Sequence, residues 1–199
     1  MRIVATIRLG ARTLIDLDET IHGGEVLTLM GPSGSGKSSL IAWMGGFLAP
    51  AFEAHGRIEC GPDDLAKLPP AGRRLGLLFQ DPLLFPHMSV GANLLFASPS
   101  GSRAQAEEAL VQADLEGFFG RDPATLSGGQ AARVALMRTL LSNPRALLLD
   151  EPFSKLDAQL RGQVRSFVFQ RAKAGNLPVL MVTHDEADAE GAGGRVIRL

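Results

Sequence analysis

Residues 2 to 9 alternate between apolar and polar side chains, the period of a strand with one buried face. Leu14 to Ile21 alternates in the same way, and His22-Gly23-Gly24 closes it with a turn signal. Together they predict antiparallel β structure at the N-terminus. A different pattern begins at Val26. The short apolar run Val26 to Met30 leads directly into a glycine-rich loop, and similar runs follow at Leu75 to Phe79, Ala146 to Leu149 and Pro178 to Val182. A last strand is expected over Arg195 to Leu199. Helices are expected from Lys37 to about Phe47, ended by Gly45-Gly46 and Pro50, and at Ser89 to Ala97, Arg103 to Leu115 and Ala158 to Lys173. Ser127 is a good N-cap for one more, from about Gly129 to Leu141. Apolar strands alternating with helices predict a parallel sheet covered on both faces, an α/β fold. The stretch from about Leu83 to Leu141 lacks good strands and reads as an inserted helical lobe. No repeat or linker is evident, so residues 1–82 and 142–199 are expected to form the core and β subdomain, and 83–141 the lobe, of a single domain.

Composition narrows the partners. A chain of 199 residues suffices for one domain with a real core. The net charge of −1 provides no global field toward nucleic acid or an acidic membrane surface, and no nucleic-acid partner is expected. The single cysteine, Cys60, excludes an internal disulfide and fits a reducing compartment. Arg2 and Arg8 interrupt the N-terminal apolar stretch, which makes a poor signal peptide. No run approaches the ~20 apolar residues of a spanning helix. Work at a membrane would therefore need a partner to hold the chain there.

Three motifs carry chemistry. Gly31-Pro32-Ser33-Gly34-Ser35-Gly36-Lys37-Ser38 fits a phosphate loop, GxxxxGK followed by Ser or Thr, between an expected strand and an expected helix. Its glycines let the backbone wrap a phosphate, and the helix start adds its positive end. Lys37 is expected to reach the β- and γ-phosphates and Ser38 to ligate Mg²⁺. Second, the apolar run over Ala146 to Leu149 ends in Asp150-Glu151, at the strand edge where parallel sheets bind ligands. Asp150 is expected to hold Mg²⁺ through water, and Glu151 to act as general base on the attacking water. Third, Leu126-Ser127-Gly128-Gly129-Gln130 lies between these two.

With that third motif the whole chain resembles the nucleotide-binding subunit of an ABC (ATP-binding cassette) transporter, with its best match among bacterial import ATPases of the sulfate, iron and thiamine-like groups. Gln80 in LLFQDPLLF matches the family's Q-loop, Ser154-Lys155-Leu156-Asp157 its D-loop, and His184 in VTHDEA its switch histidine. The resemblance implies a P-loop NTPase (RecA-like) core and ATP with Mg²⁺ as ligands. It also implies a second ATPase subunit, in which two cassettes stack head to tail. Ser127, Gly128, Gly129 and Gln130 of one chain then face the γ-phosphate held by the other, with Asp157 and Ser39 at the same nucleotide. His184 is implied to contact the γ-phosphate, and Gln80 the Mg²⁺ and the water. Permease subunits in the membrane, a solute-binding protein and a place on the cytoplasmic face of the bacterial inner membrane follow from the same resemblance. Leu84, Phe85, Pro86 and Met88 are read either as a groove for a permease helix or as core of the lobe.

The chain departs from the family pattern in two places. No aromatic residue precedes Trp43, so the usual N-terminal stack on adenine is missing, and Arg8, Arg12 or Leu9 is expected in its place. Lys155 stands where a small residue is more usual. The extra C-terminal β domain of many importer ATPases is not expected beyond Leu199. The same motifs fit a cassette serving a non-transport assembly, such as iron–sulfur or cell-division machinery. A repair-type ATPase would need a long coiled coil between Lys37 and Ser127, and no heptad run is present there. A translation-type factor would need two cassettes, and a GTPase a base-reading motif.

Overall fold

The computed structural model describes residues 1–158 and 160–199 in full, and residue 159 by its backbone alone. The strands are β1 (Arg2–Leu9), β2 (Arg12–Thr20), β3 (Val26–Met30), β4 (Phe52–Cys60), β5 (Asp63–Asp64), β6 (Leu75–Phe79), β7 (Ala146–Asp150), β8 (Val179–Thr183) and β9 (Arg195–Arg198). The helices are α1 (Lys37–Gly45), α2 (Pro70–Arg73), α3 (Val90–Ala97), α4 (Arg103–Gln112), α5 (Gly128–Leu141), α6 (Ala158–Ala174) and α7 (Glu186–Ala192). Two sheets result. One is antiparallel in the order β2-β1-β4-β5, and the other is parallel in the order β6-β7-β8-β3-β9. This is the expected α/β fold with an antiparallel N-terminal sheet.

The two-residue period of the parallel strands divides the core. Leu148, Leu180 and Val182 face a layer made by α1 and the antiparallel sheet, among Ile3, Ile7, Ile15, Leu40 and Met44. Their neighbours Leu147, Leu149, Val179 and Met181 face the opposite side, against Phe153, Val164 and Val168. Burial on both faces explains why these strands read as continuous apolar runs. A third cluster joins α3, α4 and α5 through Val90, Leu94, Leu110, Val134 and Met137.

Some elements differ from expectation. α1 ends at Gly45 because Gly46 takes a left-handed φ of 83° and turns the chain. α4 stops at Gln112, and Asp114 takes a left-handed φ of 55°. The strands β4 and β5 and the helices α2 and α7 are additions. β4 carries a period of two in Phe52, Ala54, Ile58 and Cys60, with Gly56 between them. Gly56 has φ 144°, and a Cβ there would lie 1.9 Å from the Val4 carbonyl oxygen, so the glycine permits the close pairing of β4 with β1. No described helix is long and apolar enough to cross a membrane.

Candidate functional site

The loop Gly31 to Gly36 joins β3 to α1. Gly36 has φ 96°, and a Cβ there would lie 2.8 Å from Leu14, so only glycine suits the position. Among the described helices of two or more turns, α1 alone has no side-chain N-cap; Ser89, Ser102, Ser127, Asp157 and Asp185 cap the others. Its first-turn N–H groups are therefore left for an anion. The Lys37 ammonium is buried and donates to the carbonyls of Gly31 at 2.7 Å and Pro32 at 2.9 Å. Ser33, Gly34, Gly36, Lys37, Ser38 and Ser39 line a cavity of about 340 Å³ that Glu151 also borders.

A second cavity of about 530 Å³ is lined by Ser38, Gln80, Asp81, Asp150 and Glu151, with Phe79 and Leu83. Here the Ser38 hydroxyl donates to Asp150 Oδ1 at 3.0 Å. The Glu151 carboxylate lies 2.8 Å from His184 Nδ1. The backbone explains how. Glu151 adopts φ 47°, a left-handed conformation costing a non-glycine residue roughly 1–3 kcal/mol. That turn at the end of β7 carries the carboxylate toward His184, which directly follows the neighbouring β8. Ser38, Gln80, Asp150, Glu151 and His184, far apart in sequence, thus gather at the C-terminal edge of the parallel sheet, where such sheets take ligands. Hydroxyl, amide and carboxylate oxygens form the donor set that suits Mg²⁺.

Burial raises the Asp150 carboxyl above its ordinary range, with repulsion from Glu151 in the same sense and the Ser38 hydrogen bond and Lys37 opposing. The folded chain then binds this proton more tightly than the unfolded chain does. Its contribution to stability is full below the unfolded pKa and is lost as pH rises through the folded one. Asp150→Asn is therefore expected to raise the thermal unfolding midpoint at neutral pH, with the gain vanishing in acid. A lower midpoint at neutral pH would contradict this.

The other expected ligands stand apart. Neither cavity is lined by any of Leu126 to Gln130, or by Asp157. Ser127 and Gln130 form a capping box on α5: Ser127 Oγ accepts from the Gln130 N–H at 3.3 Å, and Gln130 Oε1 from the Ser127 N–H at 2.9 Å. Gly128 and Gly129 are the first turn of α5 rather than a loose turn. A Cβ on Gly129 would lie 2.5 Å from the Leu160 side chain, so this glycine admits α6. Asp157 caps α6, accepting from the Leu160 N–H at 3.0 Å. Gly31, Pro32 and Ser35 belong to the phosphate loop but do not line its cavity.

Sequence reasoning missed one aromatic residue. Leu9, Arg12, Leu14 and Phe52 line the far side of the phosphate-loop cavity, and Arg8 does not. Register brings them together, since Leu9 pairs with Arg12 across β1 and β2 and with Phe52 across β1 and β4. The period-two pattern of β4 was the signal for Phe52. In the lobe, Leu84 packs into two cores, whereas Phe85 lines an open groove with Phe96, Leu75, Leu77 and Arg138. His22, His55 and His87 are exposed, as expected.

The ABC transporter family matches residues 14–154. An uncharacterized ABC transporter ATP-binding protein, YnjD of Escherichia coli (strain K12), is 50% identical over 183 residues, covering 89% of this chain and 84% of the relative. The thiamine import ATP-binding protein ThiQ of Jannaschia sp. (strain CCS1) is 43% identical over 199 residues, covering 97% of this chain and 85% of the relative. The Fe(3+) ions import ATP-binding protein FbpC of Escherichia coli O157:H7 is 39% identical over 199 residues, covering 96% of this chain but 56% of the relative. The chain belongs to the ABC transporter family, among its ATP-binding subunits.

Proposed function

We propose that this chain hydrolyses Mg·ATP in a head-to-tail pair of chains and that the cycle drives import of a solute through an integral membrane permease. The observation that carries the reading is the divided site. The phosphate loop, Gln80, Asp150, Glu151 and His184 converge at one sheet edge, while Ser127 to Gln130 stand outside both cavities there. A helix start carrying a hydroxyl and two glycines, away from the phosphate loop of its own chain, fits the phosphate held by another. Two of these relatives, ThiQ and FbpC, are named as import proteins, which favours this over a non-transport assembly.

In this reading the loop and the uncapped start of α1 grip the β-phosphate. Lys37 exchanges the carbonyls of Gly31 and Pro32 for β- and γ-phosphate oxygens, replacing a dipole by a full negative charge. Ser38, Asp150 and Gln80 would hold Mg²⁺, which would supply positive charge to offset that of the phosphates. Glu151 takes the proton of the attacking water. His184, in contact with Glu151, fixes that carboxylate and stands at the γ-phosphate. Ser127 with the N-terminal turn of α5 closes the site from the second chain, Asp157 standing at the same interface. The permease, at the cytoplasmic face of the bacterial inner membrane, docks an apolar helix on the groove of Phe85 and Phe96, and a solute-binding protein supplies the cargo.

The adenine base would lie against Leu9, Arg12, Leu14 and Phe52, which line the far side of the phosphate-loop cavity. Loss of a base–aromatic stack costs ~1–3 kcal/mol, so Phe52→Ala is expected to weaken ATP binding by about 5- to 150-fold. Titration with a fluorescent ATP analogue reads this, and an unchanged Kd removes Phe52 from the base site. The proposal as a whole is tested by Mg²⁺-dependent phosphate release from ATP by the purified chain. Absence of release in every condition would sink it.

A further inference from the structure

Gln80 and His184 are each followed by an aspartate, Asp81 and Asp185. Each aspartate is held by a cation from the one segment that leads from Glu151 into α6. Lys155 Nζ lies 2.5 Å from Asp81 Oδ1, across 74 residues of sequence. Arg161 pairs with the Asp185 carboxylate and donates to the Ser154 carbonyl at 3.5 Å. The segment thus bridges the two residues placed at the γ-phosphate end of the site.

The two grips differ. Asp185 also caps α7, accepting from the N–H groups of Ala187 at 2.8 Å and Asp188 at 3.2 Å, and its pair with Arg161 is largely shielded. The Lys155–Asp81 pair is 52% and 57% exposed, and among the described residues neither side chain has a second partner. On either side of Gln80 and Asp81 the backbone is already fixed. Phe79 pairs with Asp150 in the sheet, and Arg138 donates to the carbonyls of Pro82 at 3.2 Å and Leu83 at 2.9 Å. Between these two anchors lies the short stretch carrying Gln80 and Asp81, and Lys155 reaches it.

We infer that Lys155 is a positioning residue: it holds Asp81, and so keeps the Gln80 amide in the cavity with Ser38, Asp150 and Glu151. This gives a role to a D-loop lysine that the family pattern leaves unexplained, and it rests on the ATPase reading above. Lys155 touches no reacting group, so its effect falls on turnover and not on nucleotide affinity.

The test is steady-state ATP hydrolysis by the full chain carrying Lys155→Met, Lys155→Arg, Asp81→Lys, Lys155→Asp, or the last two together, with thermal unfolding confirming that each is folded. Lys155→Met is expected to lower kcat by about two- to fivefold at low salt, the range of a half-exposed pair, with the KM for ATP unchanged. Lys155→Arg is expected to retain turnover, and the exchanged double variant to recover most of what each reversal loses. The gap between wild type and Lys155→Met is expected to narrow as salt rises toward 1 M, because salt weakens an exposed ion pair. Wild-type kcat in Lys155→Met, or a loss that neither charge exchange nor salt alters, overturns the inference. A wild-type chain with no turnover overturns the ATPase reading itself, and the inference with it.

Discussion

Glu151→Gln is expected to keep ATP binding and lose about 10²- to 10⁴-fold of turnover, the range for removal of a general base. The substitution is nearly isosteric. The amide oxygen can still accept a hydrogen bond, but the group cannot take a proton from water. It also leaves the backbone demand at φ 47° as it was, so the turn at the end of β7 and the approach to His184 persist. Unhydrolysed ATP then stays between two chains, and bound ligand stabilises whatever state holds it. The mass of the variant in solution is expected to shift from monomer to dimer on addition of Mg·ATP, and only then. Turnover at the wild-type rate would remove Glu151 from the base role. A monomer that nonetheless binds ATP tightly would remove the two-chain site.

The glycine-rich loop between β3 and α1 was legible because its backbone tolerates few substitutes. A loop that wraps a phosphate needs glycine where φ is positive, as at Gly34 and Gly36. The parallel strands were equally plain, since burial on both faces leaves unbroken apolar runs such as Leu147 to Leu149. What was not legible depends on pairing across strands. Leu9, Arg12 and Phe52 share a cavity only through the antiparallel registers of β1 with β2 and β4. With Arg57 and Glu59 on its outer positions and Gly56 at its centre, β4 had only a weak apolar pattern. The helix α7 is built from Ala, Asp, Glu and Gly without an apolar period, and owes its start to capping by Asp185. Asp157 and Ser127 show a different limit. Each was expected at the nucleotide, and in the single chain each caps a helix. One side chain can serve both ends, because a cap holds the helix N-terminus that would face a phosphate from the second chain.

That division supports the second large effect. Lys37→Ala removes the ammonium proposed to reach the phosphates, and Ser127→Asp places a carboxylate where the γ-phosphate of the second chain would lie. Aspartate is as good an N-cap as serine, so the start of α5 is expected to survive the second change. Each variant alone is expected to lose nearly all turnover, because in a pair of identical chains both sites carry the defect. Mixing them changes this. In a mixed pair one site joins both defects, while the other joins the intact phosphate loop of one chain to the intact Ser127 of the other. Random pairing of equal amounts is therefore expected to restore about a quarter of wild-type turnover per chain, provided each site works independently. The measurement is phosphate release from the two purified variants, separately and combined. Recovery on mixing requires parts from two chains in one site. No recovery, with both variants folded and pairing with each other, would overturn the arrangement of two independent sites each built from two chains.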